Sequence, residues 1–268
     1  MADPFESTTC VPAAAAIICN KHYRTCAGGP ALHERTPEVT ESIYANNNHP
    51  SPRVAPKLHH ATFMTMDVAL MSNWYEQVCG LRPVYFSTHA AWLTNDEANH
   101  RIALIRIPGT QVPVNKPRTA GHHHTAFEYA TFDQWLDNYV RLRDQGIVPV
   151  FNLDHGMTMS MYYQDPDGNG VEIQVDNFGD WDASSEWMWA SREFSEDQLG
   201  PHFMPDKLVE ARAAGLTHAE IHQRAYAGEY APAIDPGPPM FADVWPARVK
   251  ADPSLADGLP MVDGPLVD

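Results

Sequence analysis

Basic residues are scarce in this chain: 18 lysines and arginines stand against 34 aspartates and glutamates, a formal net charge of −16 over 268 residues. A polyanion is held by clustered positive charge, so the balance argues against a nucleic-acid partner. Cysteine is equally sparse. Cys10, Cys19, Cys26 and Cys79 form no C-x-x-C pair and are too few to staple a chain of this length. They read as free thiols, with a disulfide left open among the three nearest the N-terminus. Long apolar runs are missing too. A membrane-spanning helix needs roughly 20 apolar residues, whereas the best stretch, residues 11–19, is short and follows Asp3 and Glu6 rather than the basic residues of a secretory leader. The expectation is a cytoplasmic protein with no membrane partner.

What the chain does contain is an internal repeat. HHATFMTMD at 59–67 returns as HHTAFEYAT at 123–131, so His60 and His124 lead two copies set 64 positions apart. Each copy continues alike: an amphipathic stretch (68–78, 132–142), a glycine (Gly80, Gly146), then Pro-Val (Pro83-Val84, Pro149-Val150). Repetition of a strand–helix–strand unit implies two like modules, in which residues at matching stations can converge on one shared site.

Alternation of apolar and polar residues places the strands of the first module at 58–66, 83–88, 91–94 and 101–106, around a helix at 68–78. In the second, strands fall at 123–129, 148–152, 159–164 and 170–175, around a helix at 132–145. Gly80 and Gly146 stand where a helix ends in a left-handed residue. This is an α+β pattern of two βαβββ modules, at about 57–115 and 122–178, within a domain at 55–178. Residues 1–54 are an N-terminal extension with a linker at 46–52 and one short helix at 37–44. Residues 179–268 are a C-terminal extension: helices at 205–215 and 217–226, then a proline-rich tail from 232. Its tryptophans, Trp181, Trp187 and Trp189, suit packing over the core domain, a neighbouring subunit or the mouth of a site.

Chemistry concentrates at three stations. His60 and His124 stand near strand starts, and Glu172 lies on a strand after the turn Asp165-Pro166-Asp167-Gly168-Asn169. Two imidazoles and one carboxylate, with coordination positions left open, are the facial set used for non-haem Fe(II) and oxygen. A lone strand histidine or glutamate is ordinarily a core or solvated residue; their recurrence at matching stations argues otherwise. Within the triplet His122–His123–His124, alternation along a strand would point His122 and His124 the same way. The repeat frame selects His124, and likewise His60 over His59.

The run LHHATF, the helix ending WYEQVCGL, HHTAF, and YYQDPDGNGVE together resemble the vicinal oxygen chelate superfamily, most closely its type I extradiol catechol dioxygenases. The resemblance covers residues 55–178, and the Asp-Pro-Asp-Gly-Asn turn before Glu172 is its most specific part, although glyoxalases and antibiotic-resistance members share that turn. It implies the vicinal oxygen chelate (glyoxalase/extradiol dioxygenase) fold and a metal, Fe(II) with Mn(II) suiting the same donors, held by His60, His124 and Glu172. It further implies catalytic roles for His100, at the start of the last strand of the first module, for Tyr162, ten residues before Glu172, and for His155. The bland readings are a loop histidine, a packed strand aromatic and a turn residue.

Three function classes follow. The first is an extradiol dioxygenase of aromatic catabolism, inserting both atoms of O2 into a catechol, with 3-alkyl or 3-aryl catechols the leading substrates and a homo-oligomer as the working assembly. The second is a glyoxalase-like lyase, isomerase or thiol transferase of the same fold. Such enzymes commonly carry a fourth protein ligand in the first module, and residues 101–106 offer no acid. The third, a metal-free binding protein, is disfavoured because all three ligand-type residues are present. Strand methionines (Met157, Met159, Met161) and Trp92 would suit an apolar ring pocket, although such methionines are more often ordinary core.

Overall fold

The computed structural model describes residues 56–261; the expected helix at 37–44, the linker at 46–52 and Cys10, Cys19 and Cys26 lie outside the described residues. Both modules are present. The first comprises β1 (Ala61–Met64), α1 (Val68–Cys79), β2 (Arg82–Phe86), β3 (Ala90–Thr94) and β4 (Ile102–Ile105). The second comprises β5 (His124–Tyr129), α2 (Phe132–Asp144), β6 (Phe151–Asp154), β7 (Thr158–Gln164) and β8 (Gly170–Asp176). Each makes a four-stranded sheet, ordered β1-β4-β3-β2 and β5-β8-β7-β6, in which the first strand pairs parallel with the last.

Local chemistry repeats with the topology. Asp67 and Thr131 occupy the same repeat station and cap their helices alike, accepting from the backbone N–H groups of Leu70 and Gln134, which satisfies donors that a first helical turn leaves free. Gly80 closes α1 at φ 65°, a conformation that side chains with a Cβ resist. The helices then bury one stripe each, Met71, Tyr75 and Val78 on α1 and Trp135, Leu136 and Leu142 on α2.

Those stripes and the helix-facing residues of both sheets form one core. Leu93, Ile102 and Leu104 of the first sheet share it with Met161, Tyr163, Val171 and Ile173 of the second. Met159 and Met161 are thus core side chains rather than pocket lining. Polar ties run between the modules. The Tyr75 hydroxyl donates to Asp165 Oδ2 at 3.1 Å, and the Arg141 guanidinium donates to the Gln77 carbonyl at 2.6 Å. Asp165 also accepts from the backbone of Asp167 and Asn169 and from the Asn169 amide, which shapes the β7–β8 turn. Burial pushes its carboxyl up to about 6 against these hydrogen bonds.

Three strand expectations shift. β1 begins at Ala61, not 58, so Leu58, His59 and His60 precede the strand. β6 begins at Phe151, not 148, because Val148 and Val150 face solvent while Phe151 and Leu153 are buried, and the intervening Pro149 lacks a ladder donor. The triplet also departs from the strand geometry assumed for it: β5 starts at His124, so His122 is free of the alternation. Its ring lies 5.4 Å from that of Phe63 instead.

Beyond β8 the chain forms α3 (Trp181–Ala190), α4 (Arg192–Glu196), α5 (Pro205–Ala213), α6 (His218–Tyr226) and α7 (Trp245–Ala251). Only α5 and α6 were expected. Leu208, Ala211, Ile221 and Ala225 join the main core. From α7, Arg248 pairs with Asp167 and the Trp245 indole donates to the Asp167 carbonyl, clamping the β7–β8 turn. Among the described residues no helix is long and apolar enough to cross a membrane.

Tyr75→Phe keeps the buried ring and deletes the hydroxyl that ties α1 to Asp165. It should lower unfolding free energy by about 1 kcal/mol in urea titration, with an unchanged denaturant slope. Wild-type stability would show that this tie contributes nothing.

Candidate metal centre

In a strand, successive side chains take opposite faces, so each sheet has one face on the core and one away from it. The second sheet's open face carries the chemistry. Parallel register sets Ala126 of β5 opposite Glu172 of β8, and antiparallel register sets Tyr162 of β7 opposite Glu172 on its other side. His124, two residues before Ala126, shares the face. Its Nε2 lies 2.9 Å from Glu172 Oε2, while the Tyr162 hydroxyl donates to Glu172 Oε1 at 2.9 Å. His155 reaches in from the β6–β7 turn, its Nε2 2.7 Å from the Tyr162 oxygen.

Glu172 is 5% exposed. Burial pushes its carboxyl up, yet interaction with His124 and Ser160, aided by the nearby charges of His124 and His155, outweighs this and holds it below the usual carboxylate range. Tyr162 moves the other way. Burial, the Glu172 charge and their hydrogen bond raise it well above an ordinary phenol, so its hydroxyl stays a donor. A buried, ionised carboxylate beside an imidazole, steadied by a phenol, is a donor set suited to a divalent cation.

The C-terminal segment builds the surroundings of this site. Asp154, fully buried next to His155, bonds His222 Nδ1 at 2.9 Å, and its backbone N–H donates to the Pro201 carbonyl. His155 Nδ1 lies 3.2 Å from the Gln198 carbonyl. Gly200 packs on the Asp154 carbonyl and Gly156 on the Trp187 ring, both with positive φ and no room for a Cβ. Phe241 covers part of the face, with ring centroids 5.1 Å from both Phe151 and His123. Phe241, Phe151, His222 and Gln198 escaped the sequence reading. Nothing in their local pattern marks them, because their place depends on where a distant segment folds back.

The first sheet supplies a second cluster. His60 immediately precedes β1, in phase with Thr62 and Met64 on the open face. Its ring lies 4.2 Å from that of His100, and that of His59 lies 5.2 Å from His60. Burial, then the charges of His60 and His59, lower His100 from the ordinary histidine range. The register pairs Thr62 with Ala103 where the second module pairs Ala126 with Glu172. Ala103 therefore occupies the carboxylate's station in the first module, and Trp92, opposite Ala103, occupies that of Tyr162.

The structure thus brings His124, Glu172, Tyr162 and His155 together, and His60 together with His100. It does not join the groups. Among the described residues, the group of three metal-capable side chains whose donor atoms all lie within 4.8 Å of one another is His59, His60 and His100. His60 is consequently farther than that from His124 or from Glu172.

The chain is similar to several known proteins. Residues 57–173 match the Glyoxalase/Bleomycin resistance protein/Dioxygenase superfamily. Biphenyl-2,3-diol 1,2-dioxygenase 3 of Rhodococcus globerulus is 42% identical over 174 residues, 65% of this chain and 91% of that protein. Biphenyl-2,3-diol 1,2-dioxygenase 2 of the same organism is 38% identical over 187 residues, 70% of this chain and 96% of that protein. The crystal structure of lactoylglutathione lyase from Agrobacterium tumefaciens aligns with 46% of this chain and 96% of its own, at 18% identity and a TM-score of 0.37.

Tyr162→Phe removes the donor to Glu172 Oε1 and the partner of His155 without changing ring volume. Outer-shell partners of this kind affect metal affinity by roughly 10–100-fold, and a weakening in that range is expected in a chelator competition. Unchanged affinity would show that the Tyr162 hydroxyl does not support the carboxylate as a ligand.

Proposed function

The chain belongs to the glyoxalase/bleomycin resistance protein/dioxygenase superfamily, and from that membership we propose that it is an extradiol ring-cleaving dioxygenase. It inserts both atoms of O2 into a catechol, cutting the ring beside the two hydroxylated carbons, in the catabolism of aromatic compounds. The observation that carries this reading over a glyoxalase-type activity is the asymmetry between the repeats: Glu172 in the second module and Ala103 at the same station in the first. Protein donors then number three, His60, His124 and Glu172, which leaves room for both catechol oxygens and O2. A fourth protein ligand, as glyoxalase-type chemistry commonly uses, has no candidate at Ala103.

Fe(II) is the metal of choice, with Mn(II) acceptable to the same donors. The chemistry it supplies when bound is joint activation of the catechol and of O2. The chain's own groups do the rest. Tyr162, kept protonated, donates a hydrogen bond that fixes Glu172 and can turn to a deprotonated substrate oxygen. His155 orients Tyr162 from behind. His100, depressed toward its neutral form, is placed beside His60 to take up the proton released by the catechol and return it as the O–O bond breaks. Phe241 and Phe151 supply apolar surface for an aryl substituent, which favours 3-aryl catechols such as 2,3-dihydroxybiphenyl. Acidic charge and sparse cysteine fit a cytoplasmic enzyme, and a homo-oligomer is the working form.

Fe(II)-loaded protein should consume oxygen in proportion to a 3-substituted catechol and form a yellow product that fades on acidification. His100→Gln should retain metal and catechol binding yet lose turnover by roughly the 10²–10⁴-fold typical of a missing acid–base group. Wild-type turnover in that variant removes His100 from the chemistry; loss of metal makes it a ligand instead.

A further inference from the structure

The first module gathers three histidines that the second does not. His59 and His60 precede β1, so they are not bound to opposite faces as consecutive strand residues are. His100 stands just ahead of β4, whose parallel pairing with β1 sets Ala61 opposite Ile102 and brings His60 and His100 side by side. The backbone holds this approach. The Ala61 N–H donates to the Arg101 carbonyl and the Arg101 guanidinium donates to the His59 carbonyl, both at 3.0 Å. Asp96 neutralises that guanidinium at 2.7 Å, and its other oxygen accepts from the Ala98 N–H at 3.0 Å, which fixes the loop leading to His100. In the second module, the register that sets Thr125 opposite Val171 puts Asn169 at the station of His100, and Asn169 is spent on Asp165 and Lys116. The trio belongs to the first module alone.

Its geometry is that of a donor set. One ring nitrogen from each of His59, His60 and His100 lies within 4.8 Å of the others. The Nδ1 atoms of His59 and His60 are 3.0 Å apart, close to the separation of about 3.4 Å between two imidazole nitrogens on one tetrahedral zinc ion. His59 and His60 are exposed and His100 is half-buried, so water has access to a fourth position. The set holds no carboxylate. An all-imidazole set suits borderline transition ions, and zinc stands above Fe(II) in its affinity for nitrogen donors.

Resting on the dioxygenase reading above, we infer that His59, His60 and His100 form a second, inhibitory site for a divalent transition ion that favours imidazole, zinc above all. His60 cannot serve this ion and the catalytic one together. As a zinc ligand, His100 has its one basic nitrogen taken up and none left for the catechol proton. Occupancy therefore switches the enzyme off without touching Glu172 or His124. His59, which the catalytic set does not use, separates the two uses of His60.

The test measures zinc affinity by chelator competition, with no substrate present, on the metal-free full-length chain and on its His59→Ala, His59→Gln and Glu172→Gln variants. His59 is exposed, so its variants should fold. Loss of an outer-shell partner already weakens a metal by roughly 10–100-fold, so loss of one donor in three should weaken zinc by about 100-fold or more. Glu172→Gln should leave zinc affinity unchanged. In parallel, oxygen uptake by the iron-loaded wild type should fall as zinc is added, whereas His59→Ala should turn over at the wild-type rate and keep that rate at the same zinc concentration. Zinc affinity unchanged in both His59 variants, or weakened by Glu172→Gln instead, overturns the three-histidine site. Zinc affinity that depends on His59 in a chain that consumes no oxygen with any catechol overturns the dioxygenase reading and leaves the zinc site standing.

Discussion

Keeping the Glu172 carboxylate ionised in a buried position is the constraint on which the second module depends. Removing a charge from water costs several kcal/mol unless partners replace the solvent, and at Glu172 the partners are His124 on one oxygen and Tyr162 on the other. Tyr162 is in turn held by His155, which works only if the β6–β7 turn is fixed. The fixing is done far along the chain, by His222 on buried Asp154, the Gln198 carbonyl on His155, Gly200 packed on the Asp154 carbonyl and the Trp187 ring packed on Gly156. The segment after β8 is therefore part of the site's support.

The two faces of each sheet divide the labour. Faces packed on α1 and α2 are mainly apolar and supply the shared core; open faces tolerate histidine, tyrosine and carboxylate because nothing from the same core covers them. Duplication then gives every functional station a twin. The copies differ on their open faces, Glu172 against Ala103 and Tyr162 against Trp92, with caps Asp67 and Thr131 preserved in role. The repeat keeps what builds a module and varies what its open face presents.

Much of this was legible from local pattern. The ten strand and helix segments of the two modules, the left-handed glycines and the pairing of Glu172 with His124 all follow from alternation, capping and the repeat frame, which depend on near neighbours in sequence. Errors fell where non-local packing decides. β6 slid to Phe151 because burial, not the Val148/Val150 alternation, sets the strand. His122 left the expected face because β5 begins two residues later. α3, α4 and α7 were missed, since short helices in proline- and tryptophan-rich chain are stabilised by what they pack on. For the same reason Phe241 and Gln198 were invisible. That His60 does not join the His124–Glu172 pair could not be read at all, because matching stations in a repeat say that two residues are equivalent and not that they meet.

The account's central claim is that the chain catalyses insertion of both oxygen atoms beside the diol. Turnover of 2,3-dihydroxybiphenyl by Fe(II)-loaded protein under 18O2, with the ring-opened product analysed by mass spectrometry, tests it most directly. The account predicts two 18O atoms in the product and a cleaved bond adjacent to the diol. A product lacking label, or conversion of a hemithioacetal with no oxygen consumed, would contradict it.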